Sequence, residues 1–149
     1  MLNWLKTKGT EARAALAAEV TKFKNKTFME AVVAACALMS AADGAIKPEE
    51  KKKMAGFLQN SAELKHFDIK EVIELFEKVT GTFAFDADIG KAEALKLIGR
   101  AGGNREQARL VARVAIAIGS SDGTFDEKER AIAADICREL GLDPKEFDV

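Results

Sequence analysis

The stretch Thr27-Phe28-Met29-Glu30-Ala31-Val32-Val33-Ala34-Ala35-Cys36-Ala37-Leu38-Met39-Ser40-Ala41-Ala42-Asp43-Gly44 decides how the rest of the chain is read. Phe28, Val32, Cys36 and Met39 recur at helical spacing. Thr27 is a residue type that caps a helix start, and glycine is the usual residue just past a helix end. Ala31 to Ala42 is the longest run without a charged side chain, and its twelve residues fall short of the roughly 20 that cross a bilayer as a helix. The stretch therefore predicts a buried core helix and not a membrane span.

Working outward, the same periodicity recurs on both sides. Upstream, an amphipathic helix is expected from about Thr10 to Phe23, interrupted by Asn25. Downstream, Pro48 suits a first helical position, and Met54, Phe57 and Leu58 supply that helix's inward face. Asp68 with Glu71 resembles a capping box for a helix through Val72, Ile73, Leu75, Phe76 and Val79, with Gly81 at its end. Phe85-Asp86 opens a helix through Ile89, Ala92, Leu95 and Ile98, ended by Gly102-Gly103. Asn104 with Gln107 begins another, reaching Ser121, and a last long helix lies between Asp126 and Gly141. A short turn follows at Asp143-Pro144-Lys145-Glu146. No run of alternating β-branched residues bounded by turns appears, so the expected fold is all-α, a single compact domain of about seven helices.

The quoted stretch also has a second copy. Ser40-Ala41-Ala42-Asp43-Gly44-Ala45-Ile46-Lys47-Pro48-Glu49-Glu50-Lys51 matches Gly119-Ser120-Ser121-Asp122-Gly123-Thr124-Phe125-Asp126-Glu127-Lys128-Glu129-Arg130 at an offset of 79. Asp68-Ile69-Lys70-Glu71-Val72 matches Asp143-Pro144-Lys145-Glu146-Phe147 at an offset of 75. Two helix-turn-helix units related by a pseudo-twofold axis account for this. Two copies make an internal duplication of one domain, not a solenoid, which needs three or more stacked units.

A chain of 149 residues is one domain's worth and can bury a core without a disulfide or a metal. Its net charge of −1 excludes a broad nucleic-acid footprint, which needs concentrated Lys and Arg. The charge is uneven. Residues 1–26 hold Lys6, Lys8, Arg13, Lys22, Lys24 and Lys26 against Glu11 and Glu19, a net of +4, which leaves −5 for the remainder. A division follows: a basic amphipathic segment over residues 1–24, and a helical domain over 25–149 carrying the repeat loops near 43–51 and 122–130. The N-terminus shows no apolar signal core and no cleavage signature, so a cytoplasmic protein is expected. Leu2, Trp4, Leu5, Lys6 and Lys8 suit contact with an anionic membrane surface or a partner, or a flap over the helical core.

Each repeat loop places an aspartate at a helix C-terminus (Asp43, Asp122) and a glutamate in the first turn of the next helix (Glu50, Glu129). An acid beside the negative end of a helix dipole typically costs about 0.3 to 1 kcal/mol. A cation held between the carboxylates and the loop carbonyls would offset it, and all-oxygen ligation suits Ca²⁺ foremost, with Mg²⁺ next. Asp126 adds a third carboxylate in the second loop, where the first has Lys47, so the second loop is expected to bind more strongly. The glycine directly after the first aspartate excludes an EF-hand. The same residues admit a second reading, in which the aspartates form Asx turns and Glu129 completes a capping box with Asp126.

Enzyme signatures are absent from the sequence. His66 is the single histidine, neither a nucleophile elbow nor a zinc-protease pair occurs, and Gly99-Arg100-Ala101-Gly102-Gly103 matches no phosphate-binding loop. Cys36 and Cys137 sit singly on apolar helical faces and read as buried, reduced filler and not as zinc ligands.

The segments Lys22-Phe23-Lys24-Asn25-Lys26-Thr27-Phe28-Met29, Ala41-Ala42-Asp43-Gly44, Lys53-Met54-Ala55-Gly56-Phe57-Leu58, Phe83-Ala84-Phe85-Asp86, Ser121-Asp122-Gly123-Thr124-Phe125-Asp126 and Leu142-Asp143-Pro144-Lys145-Glu146-Phe147 resemble, in order and over nearly the whole chain, the bacterial TerB tellurite-resistance family. That resemblance implies an all-helical domain with internal pseudosymmetry that is cytoplasmic, and a monomer is expected. It implies a component of the tellurite-resistance system, linked with resistance to phage and pore-forming colicins. It further implies partners in the integral-membrane protein TerC and other Ter-system proteins at the inner face of the inner membrane. Divalent-metal binding through acidic residues, which the family implies, maps onto Asp43, Glu50, Asp122, Asp126 and Glu129. A non-enzymatic metal-binding adaptor is the expectation. The competing class is a thiol-dependent enzyme acting on tellurium oxyanions, which would need a reactive thiolate or a cofactor.

Overall fold

The computed structural model describes residues 25–42, 48–60, 64–120 and 125–149, together with Ala15 and Ala18, which are both helical; the side chains at 50, 51, 53, 57 and 119 lie outside the description. Among the described residues there are six α-helices and no strand: α1 (Lys26–Ser40), α2 (Pro48–Asn60), α3 (Ile69–Phe85), α4 (Ala87–Gly99), α5 (Arg105–Gly119) and α6 (Glu127–Glu139). Two 3₁₀ turns, Arg100–Gly103 and Pro144–Phe147, complete them. The all-α expectation holds. Apart from Ala15 and Ala18, the helix expected over 10–23 lies outside the described residues.

Helix α1 is the centre of the molecule, packed on α3, α4 and α5 and touched by α2 and α6. From Ala31 to Met39 no residue is more than 3% exposed, which explains why this stretch carries no charge. Around it, Val72, Phe76, Val79 and Thr80 form the buried face of α3, and Ala133, Ala134, Ile136 and Cys137 that of α6. Met54 and Leu58 turn inward from α2 as expected, while the side chain of Phe57 lies outside the description.

The repeat is visible in the helix bounds. Adding 79 to the limits of α1 and α2 gives those of α5 and α6. The C-caps Ala41 (φ −97°, ψ 12°) and Ser120 (φ −95°, ψ 9°) are conformationally alike. α1 packs on its counterpart α5, α1 also touches α6, and α5 touches α2, the reciprocal pairing that an internal twofold relation requires.

Three expectations about element ends need correction. The cap of α1 is Asn25, whose Oδ1 accepts from Phe28 N at 2.8 Å, and Thr27 is inside the helix. Asn25 adopts the extended conformation that a cap needs, so it starts α1 rather than merely interrupting an earlier helix. Gly81 does not end α3, which runs on to Phe85. A single glycine costs a helix interior only about 1 kcal/mol, which the buried α3 face outweighs. The stop is Asp86, whose extended backbone ends α3 while its Oδ1 accepts from Asp88 N at 2.9 Å and Ile89 N at 3.0 Å to start α4. Finally, α4 ends at Gly99, and Gly102-Gly103 belong to the 3₁₀ turn after it.

The inward stripe of α4 is Gly90, Ala94 and Ile98, with Ile89 51% exposed. Close approach explains the choice of small residues. A Cβ on Gly90 would lie 2.5 Å from the Cα of Phe83 on α3, so only glycine permits this contact.

Candidate functional site

The repeat loops connect α1 to α2 and α5 to α6. Each therefore lies between the negative end of one helix dipole and the positive end of the next. Asp43 and Asp122 lie outside the described residues. Glu50 is the third residue of α2, placing it in the first turn, with its side chain outside the description. The contact residues Trp4, Lys6 and Lys8 also lie outside the described residues.

Asp126 and Glu129 are described, and the fold brings them together. Asp126 is the N-cap of α6: its Oδ1 accepts from Glu129 N at 2.8 Å, and Glu129 Oε1 accepts from Asp126 N at 3.2 Å. This is the reciprocal capping box of the second reading. It engages one oxygen of each carboxylate and fixes both side chains at the mouth of the second loop. Phe125, half-buried against the core, seats the chain immediately before it. No group of three or more His, Cys, Asp or Glu side chains suited to a metal occurs among the described residues.

The helix ends that enter the loops are partly neutralised by hydroxyls. Ser40 Oγ donates to Cys36 O at 3.0 Å, and Ser120 Oγ donates to Ile116 O at 2.8 Å, taking up carbonyls of the last turns of α1 and α5. These two serines hold equivalent roles one residue apart in the repeat register, so a sequence alignment on identity does not pair them.

The thiols are enclosed. Cys36 and Cys137 are both buried, 0% and 1% exposed. Burial pushes the Cys137 thiol up to about 12, outweighing the opposing pull of Arg138. His66 lies exposed in the turn before α3.

The structure also gathers charges that sequence spacing did not single out. Arg109 Nη2 lies 2.9 Å from Glu146 Oε2, and Arg105 Nη2 lies 3.7 Å from Glu146 Oε1, pinning the C-terminal turn to α5. Arg130 Nη2 donates to Asp148 O at 2.7 Å and ties the same turn to α6. The repeat alignment was the one signal that could have found Glu146, since it equates this residue with Glu71.

Residues 29–149 match the family model described as tellurite resistance protein TerB. The chain is 46% identical over 113 residues to a tellurium resistance protein TerB from Alcaligenes sp., an alignment covering 74% of this chain and 93% of that relative. No solved structure matches.

Proposed function

The chain belongs to the TerB family of tellurite-resistance proteins, and from that premise we propose that it acts as a non-enzymatic adaptor whose acidic loops bind a divalent cation. The ligands in this reading are Asp43 and Glu50 in the first loop and Asp122, Asp126 and Glu129 in the second. Ca²⁺ is the favoured ion because every donor is a carboxylate or carbonyl oxygen, with Mg²⁺ the next candidate. Cation binding would tune assembly with a TerC-like integral-membrane protein and other Ter-system proteins at the inner face of the inner membrane. Resistance to phage and colicins would draw on the same assembly. Residues 1–24, with Trp4, Lys6 and Lys8, would add contact with the membrane or a partner. The chain itself has no described helix long and apolar enough to cross a membrane.

The observation that carries this reading is the duplication. Helices with matching bounds flank both acidic loops, and the Asp126–Glu129 box holds two carboxylates in place where the second loop enters α6. A pair of matching loops that set acids against helix C-termini is explained by a ligand that compensates the charge.

The thiol-enzyme alternative finds less support. A nucleophilic or reducing thiol is used as the thiolate, and desolvation holds Cys137 in its protonated form far above neutral pH. Both readings meet in one cellular experiment. Asp122→Asn combined with Glu129→Gln, which keeps polar capping atoms, should abolish tellurite resistance without loss of helicity, and Cys36→Ala combined with Cys137→Ala should leave resistance intact. The opposite pair of results would transfer the assignment to the thiol-dependent enzyme.

A further inference from the structure

Among the described residues three large apolar side chains are exposed, and two of them, Phe85 and Ile89, flank the turn at Asp86 between α3 and α4. Phe85 is 85% exposed, whereas Phe83, two residues earlier, packs on the core. The fold thus uses one phenylalanine of the α3 end and leaves the other in water. A lone exposed apolar residue is ordinary, but an apolar pair beside a groove marks a contact surface. Ile89 also lines a groove of about 530 Å³ between α3 and α4, to which α1 contributes Glu30. Half-buried Leu75 and Leu97 and exposed Ala92 give this groove apolar walls. Lys78, Lys96 and Arg100 line it against Glu30 and Glu93, an excess of one positive charge. Among the described residues none of those three cations takes part in an ion pair. The turn beside Phe85 has the opposite sign, with Asp86 and Asp88 both exposed.

We propose that the α3–α4 hairpin is a self-association surface, in which Phe85 of one copy seats in the groove of a second copy and receives that copy's Phe85 in return. A closed dimer about a twofold axis needs a patch that complements itself, because every contact in it is made twice. Knob and groove here belong to one hairpin and meet at Ile89, and their charges are opposite: acids flank the knob, and cations line the groove. Asp88 of each copy then faces the Lys96 and Arg100 wall of the other. An aromatic anchor in an apolar recess supplies the affinity, and the charges around it fix the orientation. A partner of different sequence would have to match knob and groove separately, whereas a second copy matches both with the same residues. The monomer expected from the sequence becomes one side of a monomer–dimer equilibrium. The hairpin is distinct from the repeat loops, so this inference stands or falls separately from the cation reading.

The test is sedimentation velocity of the full chain in chelator-containing buffer over a wide concentration series, with circular dichroism to verify that each variant is folded. The native chain should pass from monomer to dimer as concentration rises. Phe85→Ser should weaken that association by on the order of tenfold or more, as expected for loss of an aromatic anchor. Ile69→Ser removes the third exposed apolar side chain, at the far end of α3, and should leave association unchanged. Asp88→Lys makes the knob repel its groove, and Lys96→Glu makes the groove repel its knob, so each variant alone should associate on the order of tenfold more weakly. An equimolar mixture of the two should recover dimer, because the basic knob of one meets the acidic groove of the other and the reverse contact stays native in sign. Phe85→Ser decides the matter if a charge variant fails to fold, and the charge pair decides it if Phe85→Ser does. A chain that stays monomeric at every concentration would assign the patch to a different protein and overturn the proposal. So would a dimer that the folded hairpin variants leave intact.

Discussion

Asn25 and Gln107, 82 positions apart, are joined by a hydrogen bond in which Asn25 Nδ2 donates to Gln107 Oε1 at 3.0 Å. The other atom of the same amide, Oδ1, caps α1. Asn104, one repeat later, caps α5 by accepting from Gln107 N at 3.0 Å. One side chain thus starts the central helix and ties it to the start of its counterpart. Asn25→Ala should cost about 1 to 2 kcal/mol, the loss of a cap and of a cross-repeat contact. Asn25→Asp should cost less than half of that, because the carboxylate keeps the cap and Gln107 can turn its amide to donate. Urea denaturation of the two variants checks the difference.

Two glycines on the α3–α4 hairpin should respond in opposite directions. Gly90→Ala places a methyl group against the Phe83 backbone, which cannot swing aside as a side chain could, and should destabilise by about 1 to 3 kcal/mol or more. Gly81→Ala meets nothing within 4 Å in the interior of α3 and should stabilise by about 0.5 to 1 kcal/mol. Thermal melts of the pair would show whether α3 and α4 pack as closely as described.

Cys137 gives a pH signature. Its folded value of about 12 lies above the ordinary 9.0, so the unfolded chain releases the thiol proton first as pH rises. Stability linked to this group is therefore full below pH 9 and falls between about pH 9 and 12, with a slope approaching about 1.4 kcal/mol per pH unit. Cys137→Ala should flatten that part of the stability–pH curve. At neutral pH the native thiol should resist alkylation until the chain is unfolded.

Removing the Asp126 cap should cost stability whether or not a cation is present. Asp126→Ala is expected to lose about 1 kcal/mol in metal-free buffer, and Asp126→Asn, which keeps an accepting oxygen, only a few tenths. Denaturation in the presence of a chelator separates this capping role from any ligand role.

Much of this architecture was legible because local chemistry and global fold agree at the caps. Asp68, Asp86, Asn104, Asp126 and Asp143 each accept from a backbone N–H two or three residues ahead, as their positions before helical patterns suggested. The repeat was legible for the same reason, since cap and turn residues recur with the helices they punctuate. The ends at Thr27 and Gly81 were misread because a cap residue and a glycine are local preferences of about 1 kcal/mol, and tertiary burial of α1 and α3 outweighs them. On α4 the expected Ile98 is buried and Leu95 packs on the core, but Ile89 and Ala92 are exposed, because close helix contact selects the small Gly90 and Ala94 that hydropathy passes over. The Arg109–Glu146 pair, 37 positions apart, had no local signal at all. Of the candidate site, the Asp126–Glu129 box was readable from its three-residue spacing.

The central claim, cation binding by the repeat loops, is tested most directly by calorimetric titration of the metal-stripped full chain with Ca²⁺, followed by Mg²⁺, Mn²⁺ and Zn²⁺. The account predicts saturable heat with Ca²⁺, together with a rise in Tm; ligand at 100 times its Kd stabilises by about 2.7 kcal/mol. Asp122→Ala should remove more of both signals than Asp43→Ala, because the second loop has the additional carboxylate of Asp126. Flat titrations and unchanged melting with all four ions would contradict the account, leaving the Asp126–Glu129 pair as a capping box and nothing more.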